Sequence, residues 1–407
     1  MIILGRITII LMAGLALVMG EAGRAVASET PASTVEFKVT GPVVTVYDWK
    51  TQRCEPSDVP DAAARAFRDT SGKIHLFAAS DKARPFLGSS LDNLRHSCQV
   101  VYQGNRSNSL EKFDDEGWLE SFFTQNGRDV IALVSMDYHP GRHKLPCLND
   151  NAKSGRCWYS AITLAQSSDG GDTFLNSSSP GRVIVAPPMK FSMSFTRPEG
   201  AFVPSNIIHV GGSFFFLVSM SMTEGGKAGE CLFRSDNIMD ASSWRAWDGK
   251  SYSIHLEDPY KRHVDKAEFS SENITAQNLC EPVKSLAAAP VRTLLKLSKG
   301  GYLAVSVAAV TSNPNVPTVV AQTSQDLINW SRPVEVVSVP IYEANGGRKG
   351  RSAFYYPSLI DPNSKSPSFD SIDGSEVYLF LTRMTYGAGV DRDLVRIPLK
   401  ILDRSNF

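Results

Sequence analysis

The feature that most constrains this chain is a strand phrase that recurs five times. Each copy has an acid- or Pro-led strand, a turn, and a strongly apolar strand. The copies span residues 60–67 and 74–77 around Gly72, 118–123 and 130–134 around Gly127, and 197–203 and 214–218 around Gly211-Gly212. They continue with 289–295 and 302–306 around Gly300-Gly301, and with 356–361 and 377–381 around a longer turn. Short β-branched and aromatic runs bounded by Gly, Asn, Asp and Pro read as strands. After the first thirty or so residues, no long segment shows the 3.6-residue period of a helix. One copy is too small to bury both faces of its own sheet. Five such copies pack radially about an axis, which predicts an all-β, five-bladed β-propeller as one domain over residues 28–407. Residues 35–47 precede the first copy and 393–401 end the chain. Pairing an N-terminal strand into the last blade would hide an exposed edge, so that closure is expected.

The chain opens with the layout of an export signal. Arg6 supplies a positive flank, residues 7–20 form an apolar run, and Ala25-Val26-Ala27 is a small-residue cleavage site, making Ser28 the expected mature N-terminus. The run falls short of the ~20 residues of a spanning helix, so a signal peptide over residues 1–27 is expected, and no membrane partner after its cleavage. Six cysteines, Cys54, Cys98, Cys147, Cys157, Cys231 and Cys280, suit an exported chain with disulfides. Several connectivities are open, and order along the chain suggests pairing of neighbours. The spacings contain no Cys-x-x-Cys, which argues against zinc. Lys plus Arg equals Asp plus Glu at 42 each. That balance gives no broad field to draw nucleic acid or an anionic membrane, and nucleic acid is not expected as a partner.

A second mark sits at the blade ends. Ser167-Ser168-Asp169-Gly170-Gly171-Asp172-Thr173-Phe174 resembles the Asp-box of sialidases and other propellers, residues 324–330 a degenerate version, and 234–244 a longer relative. Its chemistry is that of a turn: Ser and Asp accept from backbone amides, Gly permits positive φ, and the aromatic packs between blades. It supports the fold and is not read as a catalytic site.

The innermost strands of a propeller line its axis, so the leading residues of the copies are the candidates for chemistry. These are Asp61, Glu120, Glu199, Arg292 and Tyr356, with Arg65, Trp118 and Arg197 beside them. Hydrolysis of a glycosidic bond needs one protonated carboxyl to assist the leaving oxygen and one ionised carboxylate to attack or to activate water. A third acid raises the pKa of the proton donor by like-charge repulsion. Asp61, Glu120 and Glu199 supply these three. Arg65, Arg197 and Arg292 are expected substrate contacts, with Trp118 and Tyr356 as stacking platforms for sugar rings. Each also has a structural alternative. Glu199 could pair with Arg197 or Arg65, Asp61 could cap a turn as Asp58 could, Glu120 could join the surface acids Asp114, Asp115 and Glu116, and the rings could pack between blades. His139 and His143 read as an exposed blade-two loop, with a cleft rim or a metal site as the other options. No cofactor is expected; a structural Ca²⁺ on the axis is compatible with the acids, but no ligand spacing specifies one.

This set resembles the five-bladed glycoside hydrolases of the arabinanase/β-xylosidase and invertase/levansucrase clans. In the first of these an Asp opens blade one, an acid follows an aromatic-led segment in blade two, and the general acid sits in a Glu-Gly-Pro phrase before a Gly turn and an aromatic-rich strand. Asp61, Trp118-Leu119-Glu120, and Glu199-Gly200 ahead of Phe214-Phe215-Phe216 are similar to those phrases. Pro198 stands before the Glu instead of following the Gly, and Ala62 replaces the usual Pro after the Asp, so the resemblance is to a remote member. It implies a secreted or periplasmic enzyme acting on a poly- or oligosaccharide, furanosidase- or arabinanase-like, with Glu199 as acid and Asp61 as base or nucleophile. Two other readings stand beside it. A sialidase-like exo-glycosidase would use Arg65, Arg197, Arg292 and Arg351 to clamp a carboxylate. A non-catalytic propeller would bind glycan or protein, since fold does not fix function.

Overall fold

A computed structural model describes residues 33, 35–78, 80–145, 147, 157–177, 182–221, 229–256, 258–261, 279–287, 290–310, 313–341, 352–385 and 391–403. The expected signal peptide and Arg351 lie outside these residues. No helix among them is long and apolar enough to cross a membrane.

The five repeats become five blades of a β-propeller. Blade one runs Arg65–Arg68, Ile74–Phe77, Phe86–Gly88, Arg95–His96 from the axis outward. Blade two runs Glu116–Phe123, Val130–Tyr138, Tyr159–Ser167, with Leu175–Asn176 and Val183–Val185 on its outer edge. In blade three the innermost strand is split into Glu199–Phe202 and Ile208–Val210, both paired to Ser213–Ser221; Gly229–Ser235, Arg245–Trp247 and Tyr252–Ile254 follow. Blade four is Thr293–Leu297, Tyr302–Val310, Asn313–Ser324, Val334–Val337. Blade five is Ser352–Ile360, Glu376–Thr385 and Arg392–Asp403. Its outer edge is completed by Val35–Val39, pairing residue for residue from Val35↔Asp403 to Val39↔Leu399, and by Val44–Tyr47. The N-terminal strands therefore close the ring, as the edge argument requires.

The ring is held by a separate apolar core at each of the five junctions. Phe67, Phe77, Phe122 and Phe174 join blades one and two. Leu133, Ile162, Phe216 and Trp244 join two and three. Leu217, Leu232, Leu294 and Trp330 join three and four. Leu303, Val319, Leu359 and Leu379 join four and five, and Tyr47, Leu76 and Phe380 join five to one. Phe174, Trp244 and Trp330, the aromatics that end the three box-like turns, are all buried in these junctions. In the first turn Thr173 N donates to Asp169 Oδ1 at 3.0 Å and Gly171 N to Ser167 Oγ at 2.9 Å, which fixes the chain as it leaves the strand.

Three disulfides join Cys54 to Cys98, Cys147 to Cys157 and Cys231 to Cys280, each cysteine with its neighbour in sequence. Cys231–Cys280 closes a loop with a sequence separation of 49. Both of its cysteines are buried in the junction of blades two and three. Replacing both by Ala is expected to lower the free energy of unfolding by about 3–4 kcal/mol, chiefly through the freed unfolded chain. A urea titration of the double variant against the parent checks it.

Candidate active site

A cavity of about 340 Å³ opens between the blades, lined by Asp61, Trp118, Glu120, Ser135, Asp137, His139, Arg142, Trp158, Phe202, Val203, Arg292 and Tyr356. Blades one to five all contribute. Two local irregularities aim side chains into it. On Glu116–Phe123 the register skips one residue: Leu133 pairs with Ser121 and Val134 with Leu119, leaving Glu120 as the extra residue of a bulge. On Ser352–Ile360 a second shift between Tyr355 and Ser358 frees Tyr356, which sits at φ 52. Val203 lines the cavity at φ 56. A β-branched residue in the left-handed region is a strained outlier, and strain of that kind collects at functional sites.

The three cavity acids have different surroundings. Asp61, at the head of blade one, accepts from Tyr356 Oη at 3.1 Å and pairs with the Arg392 guanidinium. Glu120 is 7% exposed and makes no hydrogen bond among the described residues; its Oε2 is buried without a partner. Burial pushes its pKa up to about 7, against the pull of Arg292 and Arg65. Asp137 is pushed by burial to about 7 as well, although Ser160 Oγ donates to its Oδ1 at 2.6 Å. Both carboxyls therefore hold protons far above the ordinary carboxylate range. His139 packs on Trp158 with ring centroids 4.8 Å apart; burial, with the charge of Arg142, lowers its pKa to about 4, so it is a neutral imidazole near pH 7.

Arg292 comes from blade four and is braced by the others. Its carbonyl accepts from Arg65 of blade one. The neighbouring Val291 N donates to Glu230 of blade three at 3.1 Å. Its guanidinium lies over the Tyr356 ring of blade five, 5.0 Å from the centroid. Among the described residues that guanidinium makes no hydrogen bond. Glu230 itself lies outside the cavity lining, 3% exposed, and burial raises its pKa from 4.5 to about 8. Between those values the folded chain keeps a proton the unfolded chain has released, so the stabilising effect is full at low pH and is lost as pH rises through 8. Glu230→Gln removes the ionisation. Its stability relative to wild type is expected to improve from pH 4 to pH 9 by on the order of a few kcal/mol, measured by denaturant titration at both pH values.

Five of the eight residues expected from sequence line this cavity: Asp61, Glu120, Trp118, Arg292 and Tyr356. The other three do not. Arg65 is 2% exposed and spends its guanidinium on Ala64 O, Ser358 Oγ and Arg292 O, behind the cavity wall. Glu199 is fully buried, with Arg197 Nε 3.4 Å from its Oε1, and Arg197 itself is largely solvent-facing. The Glu-Gly phrase has a packing reason here. Gly200 sits at φ 139 where blades two and three meet, and a Cβ there would collide with the Ser160 carbonyl. Asp58, the rival of Asp61, is a structural acid, held by His96 Nε2 at 2.8 Å and Cys54 N at 2.9 Å.

Sequence reasoning passed over Asp137, Trp158 and Arg142; His139, read as an exposed loop with the cleft rim as an option, lines the cavity. Asp137 had one usable signal: it is an acid near the end of the mostly apolar run Val130–Tyr138, all of which is buried. His143 stands apart, hydrogen-bonded to Asp115 at 2.8 Å and stacked on Tyr138. The one group of potential metal ligands within reach of one another among the described residues is Cys54, Asp58 and His96. Cys54 is committed to a disulfide and Asp58 to His96, so this group does not fit a metal.

No protein-family profile matches the chain, and no curated protein matches it. Solved structures do match. A family 117 glycoside hydrolase of the marine bacterium Zobellia galactanivorans aligns over 92% of both chains at 8% identity and TM-score 0.51. The fold is that of the propeller glycoside hydrolases. A protein of unknown function from Dyadobacter fermentans aligns over 91% of this chain and 100% of its own, at 10% identity and TM-score 0.50. An α-L-arabinanase of Cellvibrio cellulosa aligns over 85% of this chain and 91% of its own, at 14% identity and TM-score 0.42. Identity this low speaks to the fold and leaves activity to the site.

Proposed function

We propose that this protein is an exported glycoside hydrolase that cleaves a poly- or oligosaccharide in the axial cavity. The observation that carries the reading is one cavity holding two unlike carboxyls: Glu120, buried and protonated up to about pH 7, and Asp61, ion-paired with Arg392. Divergent environments of this kind assign acid and base. Glu120 protonates the leaving oxygen; Asp61 attacks the anomeric carbon or activates water. Glu199, the acid expected from its motif, lacks a place on the cavity lining, so the reading gives that role to Glu120. Asp137 supports the donor by like charge: wherever it ionises, its negative charge raises the Glu120 pKa. Trp118, Trp158 and Phe202 give flat apolar faces for sugar rings, whereas the Tyr356 ring carries Arg292 and stacks with Tyr355. Export is supported by the layout of residues 1–27 and by three disulfides.

The test is release of reducing sugar from a panel of arabinan, xylan, fructan and uronic-acid polymers by the purified protein. Release that rises linearly with enzyme is the expected result. No release from any polymer, with retention of a glycan on an affinity gel, would support a binding propeller instead. The sialidase-like reading loses ground for a geometric reason: of Arg65, Arg197 and Arg292, one lines the cavity.

A further inference from the structure

We propose that the glycan taken by this cavity carries a carboxylate, as a uronic-acid residue does, and that Arg292 grips it. This rests on the reading of the cavity as a sugar site and adds the class of sugar.

Most charges around the cavity are already matched. Asp61 is matched by Arg392. Arg142 is matched by Glu116, 2.7 Å from its Nη1. Arg292 lacks such a partner: no carboxylate or carbonyl among the described residues accepts from its guanidinium, which stands over the Tyr356 ring. A guanidinium held over a ring by a cation–π contact keeps its N–H donors for another partner, and this one lines the cavity. A planar donor edge is the partner of a planar carboxylate, bonded twice.

The nearby acids do not oppose this. Glu120 feels the field of Arg292, and burial keeps it and Asp137 protonated to about pH 7. Below that pH the unmatched charge of the lining is the positive charge of Arg292. An anionic sugar would meet no net repulsion, whereas a neutral sugar would leave that charge uncompensated in a half-closed, low-dielectric site.

The experiment is calorimetric titration of wild type, Arg292→Gln and Arg292→Lys with paired short oligosaccharides at pH 6. Each pair consists of a glucuronide, galacturonide or mannuronide oligomer and the same oligomer with its carboxyl groups reduced to alcohols. At least one uronide is expected to bind about ten- to a hundredfold tighter than its reduced partner. Arg292→Gln is expected to erase that difference, and Arg292→Lys to restore part of it. The Arg292 carbonyl that receives Arg65 is backbone and survives both substitutions; thermal melts confirm that both fold. Equal binding of every pair by wild type, or equal weakening of both members by Arg292→Gln, overturns the inference. So does binding of a sulfated oligosaccharide in place of every uronide. Hydrolysis serves as an independent readout. Cleavage of neutral oligomers with no uronide preference removes this inference and leaves the hydrolase; uronide preference with no cleavage removes the hydrolase and leaves this.

Discussion

Glu120→Gln is expected to slow cleavage of a natural glycan by about 10²–10⁴-fold, the usual worth of a placed general acid, with an unchanged thermal melt. The substitution is nearly isosteric, and Glu120 makes no hydrogen bond among the described residues that the amide would break. Asp61→Asn is expected to be at least as damaging, because the amide can neither attack nor take a proton. The two roles separate by leaving group. An aryl glycoside with an acidic phenol leaves without protonation, so Glu120→Gln should recover most of its rate on that substrate while Asp61→Asn should not. If both variants stay equally slow on the activated substrate, Glu120 is not the proton donor. Glu199→Gln is the control for the expectation drawn from the Glu-Gly motif. A loss confined to Glu199→Gln, with a full rate in Glu120→Gln, would return the acid role to Glu199. The pH dependence has a definite sign. The donor must carry its proton, so the rate should fall as pH rises through about 7, where Glu120 ionises.

The fold was legible because radial repetition writes itself into sequence as repeated apolar strands. The ten strands expected from pattern all correspond to strands of the blades, and ring closure followed from the cost of an exposed edge. The pairing of cysteines followed chain order because each blade finishes before the next begins. Aim within a strand was less legible. Which leading residue faces the axis depends on bulges, and a bulge at Glu120 or Tyr356 leaves no mark in the alternation of apolar and polar residues. Asp137 was hidden for a related reason: it lies on the second strand of its blade, where pattern alone predicts packing, and only the end of that strand reaches the cavity. Glu199-Gly200 is the converse case. A short motif that looked chemical is explained at Gly200 by the closeness of two blades, which no local reading of sequence reports.

Arg65→Ala should be among the most destabilising single changes in this protein, by about 3–5 kcal/mol. Two terms add. The side chain is among the largest that are fully buried, so truncation leaves a void where blades one, four and five meet. It also strips donors from Ser358 Oγ and Arg292 O, and a buried acceptor that loses its donor costs about 1–3 kcal/mol; Ala64 O keeps the Ser358 hydroxyl as donor. One term opposes them: burial disfavours the charge strongly enough to lower the Arg65 pKa to about 10, with Glu120 only partly offsetting it. Removing a charge held that way returns desolvation energy. Arg65→Met tells these apart, since it keeps most of the volume and drops the charge. Its stability should lie well above that of Arg65→Ala, as measured by denaturant titration. If the two variants are equally unstable, hydrogen bonding and not packing decides the effect. Arg65→Met has a second readout that a purely structural role would not move. Arg65 is one of the charges holding the Glu120 pKa down, so its loss should carry Glu120 further above 7 and shift the alkaline limb of the rate profile upward. An unshifted limb in a folded Arg65→Met protein would separate Arg65 from the chemistry and leave it as a brace between blades.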